Sequence, residues 1–231
     1  MKTLRLFLLI TIATFALNSC DFDDDGYSLS NMWVGFGLTD NVNDESNTFV
    51  LKMDDGSVLY PVANQVPWFD IEPDQRLLVN FTILGDKKVT DTEEEYYVRI
   101  NSLKKVLYKN IFEITPEKED SIGNDPIHVK DAWLNGNMLT FELQYYGNSQ
   151  IHYINLVKQP GELTAADEPI ELELRHNNRN DEPYVQMTAF VTFKLDNIKI
   201  AGQNSVDFKV TGIDFNNTTY EDSGTFSYES N

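Results

Sequence analysis

Residues 137–145 read Asn137-Met138-Leu139-Thr140-Phe141-Glu142-Leu143-Gln144-Tyr145. Leu139, Phe141, Leu143 and Tyr145 fall on one side of an extended chain; Thr140, Glu142 and Gln144 fall on the other. Successive side chains of a strand point to opposite faces, so this period of two predicts a strand with one face on a core. The same pattern recurs on both sides. Leu77, Val79, Phe81 and Ile83 share a face, and Val206, Phe208 and Val210 alternate with Asp207, Lys209 and Thr211. Asp55-Gly56, Gly85-Asp86, Asn135-Gly136, Gly147-Asn148 and Pro160-Gly161 punctuate these runs as turn signals. No long stretch carries a helical period. The chain therefore reads as all-β, built from short strands.

The runs divide into two groups. Near 33–38, 48–53, 58–61, 76–84 and 96–114 they make about five strands, for which a small closed Greek-key barrel of the OB type is the economical solution. Near 127–134, 138–146, 151–157, 170–176, 184–195, 206–213 and 225–228 they make about seven, which suits an antiparallel two-sheet sandwich. Between the groups, Glu117-Lys118-Glu119-Asp120-Ser121-Ile122-Gly123-Asn124-Asp125 is polar and charged. It predicts a linker over 116–126, with an OB-like domain over 27–115 and a β-sandwich over 127–231.

The amino terminus has a different character. Lys2 and Arg5 precede an apolar run, Leu6 to Leu17, broken only by Thr11 and Thr14. That run is too short to span a bilayer, which takes about 20 apolar residues, and it reads as a signal peptide over 1–19. Leu17-Asn18-Ser19-Cys20 follows, and Cys20 is the single cysteine of the chain. This stretch resembles the lipobox of bacterial lipoproteins, in which the cysteine is acylated and becomes the new amino terminus. The resemblance implies anchoring on a membrane through lipid at Cys20, with 20–26 as an acidic tether. Asp21-Phe22-Asp23-Asp24-Asp25-Gly26 matches the first half of a calcium loop, but the twelfth position, where a bidentate Glu is needed, is Met32. The acidic residues resemble instead the signal that sends Bacteroidetes lipoproteins to the outer face of the outer membrane. A plain solvated tether is the alternative reading.

The chain carries 37 acidic and 18 basic residues, a formal net charge of −19. Removing 1–19 takes away Lys2 and Arg5 and no acid, so the charge becomes more negative still. That sign opposes phosphate backbones and argues against a nucleic-acid partner. One cysteine also means no internal disulfide, so an exported form must be held by its cores alone.

With the strands placed, the chain resembles the NigD-like family of Bacteroidetes lipoproteins. Three stretches carry the resemblance: Cys20 to Trp33, with Asp25-Gly26-Tyr27-Ser28-Leu29 and Trp33-Val34-Gly35; Gln75 to Leu84; and His152-Tyr153-Ile154-Asn155-Leu156-Val157 together with Leu172-Glu173-Leu174-Arg175-His176-Asn177-Asn178. The resemblance implies an amino-terminal OB-like domain and a carboxy-terminal β-sandwich, in agreement with the independent strand count. The family takes its name from association with a bacteriocin locus, so a role in immunity is implied. After Leu-Arg-His-Asn the family tends towards Ala-Asn-Gly-Asp, whereas Asn178-Arg179-Asn180-Asp181 stands here.

No zinc-protease, nucleophile-elbow, P-loop or dinucleotide motif occurs in the sequence. We expect no enzyme activity, no cofactor and no metal. His152 shares a face with Ile154 and Leu156, and His176 with Leu172 and Leu174, which places both rings at the edge of a core. With Arg175, Asn177, Asn178 and Asp181 they form a candidate polar cluster, either a ligand site or a structural lock. In that pattern Arg175 points outward with Glu171 and Glu173, and His128 faces solvent. Trp68, in the Pro-containing loop Val66-Pro67-Trp68-Phe69-Asp70, is the candidate exposed aromatic. Asp120-Ser121-Ile122 resembles an acceptor of general O-glycosylation in exported proteins, with Ser121 as the modified residue. The reading is a non-enzymatic outer-membrane lipoprotein, exposed at the cell surface, that binds an unidentified protein or glycan partner, with bacteriocin immunity as the form the resemblance implies; the alternative is a glycan-binding accessory of a nutrient-capture system.

Overall fold

The computed structural model describes residues 27–229 except 44, 47, 162 and 164–167. The lipid-anchor residue Cys20, the signal peptide over 1–19 and the tether over 20–26 lie outside the described residues. Five strands, β1 (Trp33–Asn43), β2 (Thr48–Met53), β3 (Val58–Asn64), β4 (Arg76–Val89) and β5 (Glu94–Lys105), close into a barrel in the order β1-β2-β3-β5-β4. β3 and β5 pair in parallel and the other pairs are antiparallel, the pattern of an OB barrel. Its interior is filled from the inward positions of each strand: Leu51, Leu59, Leu77, Val79, Val98 and Ile100 are fully buried. Glycine at 37 is required there, since a Cβ would lie 2.7 Å from Met53 Sδ and 3.0 Å from the Lys52 carbonyl.

The expected strand over 96–114 breaks after Lys105. β6 (Leu107–Asn110) and β7 (Phe112–Glu113) leave the barrel and pair in parallel with strands of the second domain. The remaining elements are α1 (Glu119–Ile122), β8 (His128–Asn135), β9 (Met138–Gly147), β10 (Tyr153–Lys158), β11 (Ile170–Asn177), β12 (Val185–Lys194), β13 (Ser205–Ile213) and β14 (Thr219–Ser227), with short 3-10 turns at Asp196–Ile198 and Phe215–Asn217. They form two stacked sheets, β14-β13-β11-β10-β7 and β6-β12-β9-β8. Phe141, Leu143, Leu156, Leu172, Leu174, Val191, Phe193 and Phe208 fill the space between them. Among the described residues no helix is long and apolar enough to cross a membrane.

The boundary therefore falls near Val106, and 116–126 is not a free linker. Ile122 of α1 is 5 % exposed and packs with Ile114 and Val157, on the side of β10 away from the sandwich core. The polar run masks this because a four-residue helix needs one apolar contact to dock, and one apolar residue among acids carries no period.

Phe36, on the outside of the barrel, places its ring 5.3 Å from Trp133 and 5.1 Å from Phe190 of the four-stranded sheet. Arg76, at the start of β4, is 1 % exposed; its guanidinium pairs with both carboxylate oxygens of Asp54 and reaches Thr140 Oγ1 at 3.5 Å. Asn135 Nδ2 donates to the Asp54 carbonyl at 2.7 Å, and Thr140 and Thr192 are hydrogen-bonded at 2.9 Å. Thr140, on the polar face of its strand, is consequently fully buried. The barrel, not solvent, covers that face.

Candidate functional site

At one end of the sandwich the alternation of β11 continues inward from Leu172 and Leu174 to His176, which is 2 % exposed. Pairing of Ile154 with His176 across β10 and β11 brings His152, two residues before Ile154, to the same end. His152 Nδ1 lies 2.9 Å from His176 Nε2, and His152 Nε2 lies 3.2 Å from Asp181 Oδ2. His176 Nδ1 lies 3.1 Å from the Pro126 carbonyl. The side chains of His152 and Asp181 are 2 % and 3 % exposed, and Tyr145 packs against both rings at 4.7 and 5.5 Å. Gly147 leaves the space: a Cβ there would meet His152 Nε2 at 2.9 Å and Asp181 Oδ2 at 3.0 Å.

Burial alone would raise the Asp181 carboxyl, but the backbone N–H groups of Asn148, Ser149 and Gln150 and the His152 ring outweigh it and bring it down to about 2. Asp181 is thus an ionised acceptor. The Pro126 carbonyl is also only an acceptor. Burial, the largest cause, together with the nearby His152 ring, holds His176 below the ordinary histidine value against the opposing hydrogen bond to the Pro126 carbonyl.

Around this chain the turn is closed by its own side chains. Asn178 N–H donates to Asp125 Oδ2 at 2.8 Å, and Asn177 Nδ2 donates to the Ser121 carbonyl at 2.8 Å. Asn177 Oδ1 and Asn178 Oδ1 accept from Arg179 N and Asn180 N, whose residues adopt the left-handed φ values of 56° and 58°. The structure thus gathers His152, His176, Asn177, Asn178 and Asp181 at one end of the sandwich.

Arg175 does not join them. It points to the opposite face, as alternation requires, but it is only 9 % exposed, not a solvated surface arginine. It pairs with Glu173 at 2.7 Å in a shallow cleft beside Asn124, Thr211 and Thr219. His128 is held by both Asp214 oxygens at 3.0 Å and stacks on Phe215, so it is half-exposed and partnered. Ser121 is exposed on α1, its hydroxyl donating to the Lys118 carbonyl. Trp68 is 78 % exposed. The buried Asp54–Arg76 pair has no signal in motif or period beyond a charged residue placed directly before the apolar pair Leu77-Leu78.

Every ring nitrogen of the histidine pair has a hydrogen-bond partner among the described residues. Among the described residues no group of three His, Cys, Asp or Glu is placed to hold a metal ion.

Residues 40–106 match the model of the NigD-like N-terminal OB domain, and residues 110–228 that of the NigD-like C-terminal beta sandwich domain. The junction between the two matches coincides with the exit from the barrel. Among solved structures, the chain is similar to a candidate toxin-related protein of Parabacteroides distasonis (26 % identity, TM-score 0.70, covering 86 % of this chain and 95 % of that one). It is also similar to a NigD-like immunity protein of Bacteroides caccae (18 % identity, TM-score 0.67, covering 88 % and 100 %). A candidate lipoprotein of Bacteroides fragilis shares the fold at 12 % identity and TM-score 0.58, covering 87 % and 99 %. No curated protein sequence matches the chain.

Proposed function

Because this chain belongs to the NigD-like family, we propose that it is a non-enzymatic, lipid-anchored protein of the outer membrane that acts by binding a protein partner, in the manner of a bacteriocin immunity protein. Two strands of support meet in this reading. One is the sequence context of Cys20, an apolar leader before it and aspartates after it. The other is the name of the Bacteroides caccae relative.

The observation that carries the binding role is the end of the sandwich. The buried bond between His152 and Asp181 ties the 148–152 and 178–184 loops together. Those loops and the strand ends beside them present Ile151, Tyr153, Tyr184 and Val185 to solvent, at 72 %, 45 %, 70 % and 56 % exposure. Exposed aromatic and aliphatic side chains on loops tied at their base bind with less ordering cost than on free loops, which supports an interaction surface.

The test is protection. Cells expressing the full chain, cells expressing Cys20→Ala and cells lacking the gene are challenged with culture supernatants of related strains that kill the last of these. Survival that depends on the gene and on Cys20 supports the reading. Equal killing of all three sinks it. Detergent-phase partition of the Cys20→Ala form separates loss of anchoring from loss of immunity.

A further inference from the structure

We infer that the barrel carries a binding site for a neutral saccharide at the end where the β1–β2 turn meets the β3–β4 connection, with Trp68 as the stacking platform. The inference stands on the barrel alone and holds whether or not the sandwich mediates immunity.

An open cleft of about 350 Å³ lies there, the lower range of a small-ligand site. Its floor is made of side chains that belong to the barrel core, Val42, Phe49 and Ile71, so its shape is fixed by the fold. Trp68 stands at the cleft and is 78 % exposed. The loop that bears it is not slack. Val66 N–H donates to Asn64 Oδ1 at 2.8 Å, Phe69 N–H to the Val66 carbonyl at 3.0 Å, and Gln75 Nε2 to the Asp70 carbonyl at 3.4 Å. Thr39 Oγ1 closes the far end on the Glu72 carbonyl. A large indole held in water by a rigid loop is a platform prepared for a ligand.

The lining selects the ligand class. Among the described residues that form the cleft none is basic, and Asp70 is acidic. With the net charge of −19, this disfavours phosphates, sulfates and uronates. Asn43, Thr48 and Asp70 bring an amide, a hydroxyl and a carboxylate to the rim, which disfavours a purely apolar ligand. A cationic ligand would be recognised by a box of rings. Phe69, next to Trp68, already has Lys105 Nζ at 5.8 Å from its ring. What remains is a neutral ligand with one apolar face and a ring of hydroxyls, which is the surface of a pyranose.

The test is titration of the detergent-solubilised full chain with cellotetraose, maltotetraose and chitotetraose, followed by tryptophan emission and calorimetry. A tetraglucuronate and choline serve as the anionic and cationic controls. At least one neutral tetrasaccharide should give a saturable emission change, the Trp68→Ala variant should lose at least tenfold in affinity with an unchanged melting temperature, and Asp70→Asn should weaken binding less. The inference is overturned if no neutral oligosaccharide saturates, if a control binds as well, or if Trp68→Ala binds like the parent.

Discussion

Arg76 and Asp54 belong to the same barrel, yet their ion pair lies against the sandwich, with the Arg76 side chain fully shielded and that of Asp54 18 % exposed. The guanidinium also sits 5.4 Å above the Phe36 ring, and Trp133 and Asn135 of the sandwich turn their N–H groups to Asp54. The pair therefore registers one domain on the other. Breaking such a pair from one side leaves a charge buried without a partner, at about 3–5 kcal/mol. Arg76→Ala should lower urea stability by about that amount. Replacing both partners, Arg76→Met with Asp54→Leu, should recover much of it, since Arg76 Nε is itself buried without a partner among the described residues. A double variant as unstable as the single one would show that the pair contributes net attraction and not only register.

Acid should unlock the sandwich in two stages. His176 is held below the ordinary value of 6.5, chiefly by burial. The unfolded chain thus takes up a proton that the folded one refuses, and stability falls as pH drops below about 6.5. Asp181 is held at about 2 against an ordinary 3.8, so its contribution is present above about 4 and disappears as pH falls through about 2. Melting temperature measured against pH should show both windows, and Asp181→Asn should erase the lower one only.

Gly147→Ala tests the closeness of the rings without touching a titratable group. Its Cβ would fall 2.9 Å from His152 Nε2, an atom that cannot swing away without losing Asp181 or His176. The expected loss is about 1–3 kcal/mol, with the Asp181 titration moved upward in a carbon-detected NMR series. An unchanged melting curve would mean that the strand end yields freely.

Ile122→Ala distinguishes a docked segment from a tether. Ile122 is one of three buried members of a small cluster with Ile114 and Val157. Deleting most of its side chain should cost about 2 kcal/mol, the low end for a buried isoleucine. In a free linker the same change would leave chemical denaturation untouched. Limited proteolysis should likewise spare 116–126.

What could be read in advance follows from the range of the signal. Leu77, Val79, Phe81 and Ile83, and Leu139, Phe141 and Leu143, are buried as alternation requires, because a period of two is local. The inward turn of His152 and His176 was legible for the same reason. Their contact was not, since it depends on the register that sets Ile154 opposite His176. Arg175 has the outward direction that alternation gives it, but its cover comes from residues more than 35 positions away, such as Thr211 and Thr219. Leu107–Glu113 looked like the tail of one strand because nothing within it announces a change of partner.

The two short strands after the barrel also impose an order in time. Leu107–Asn110 must wait for Val191–Lys194, and Phe112–Glu113 for Val157-Lys158, before their backbone groups find partners. Each lies in a different sheet, and the partner of Leu107–Asn110 is separated from it by most of the second domain. All strands of the barrel lie before residue 106, so it can assemble as soon as residue 105 has emerged. The sandwich has no such early state: its first strands are the last to be secured at their edge, and loop closure over that span slows the step. Under the proposed export of the chain, a finished barrel would thus precede an unfinished sandwich. In that interval the apolar face of Leu139, Phe141 and Leu143 lies open to any chaperone on the far side.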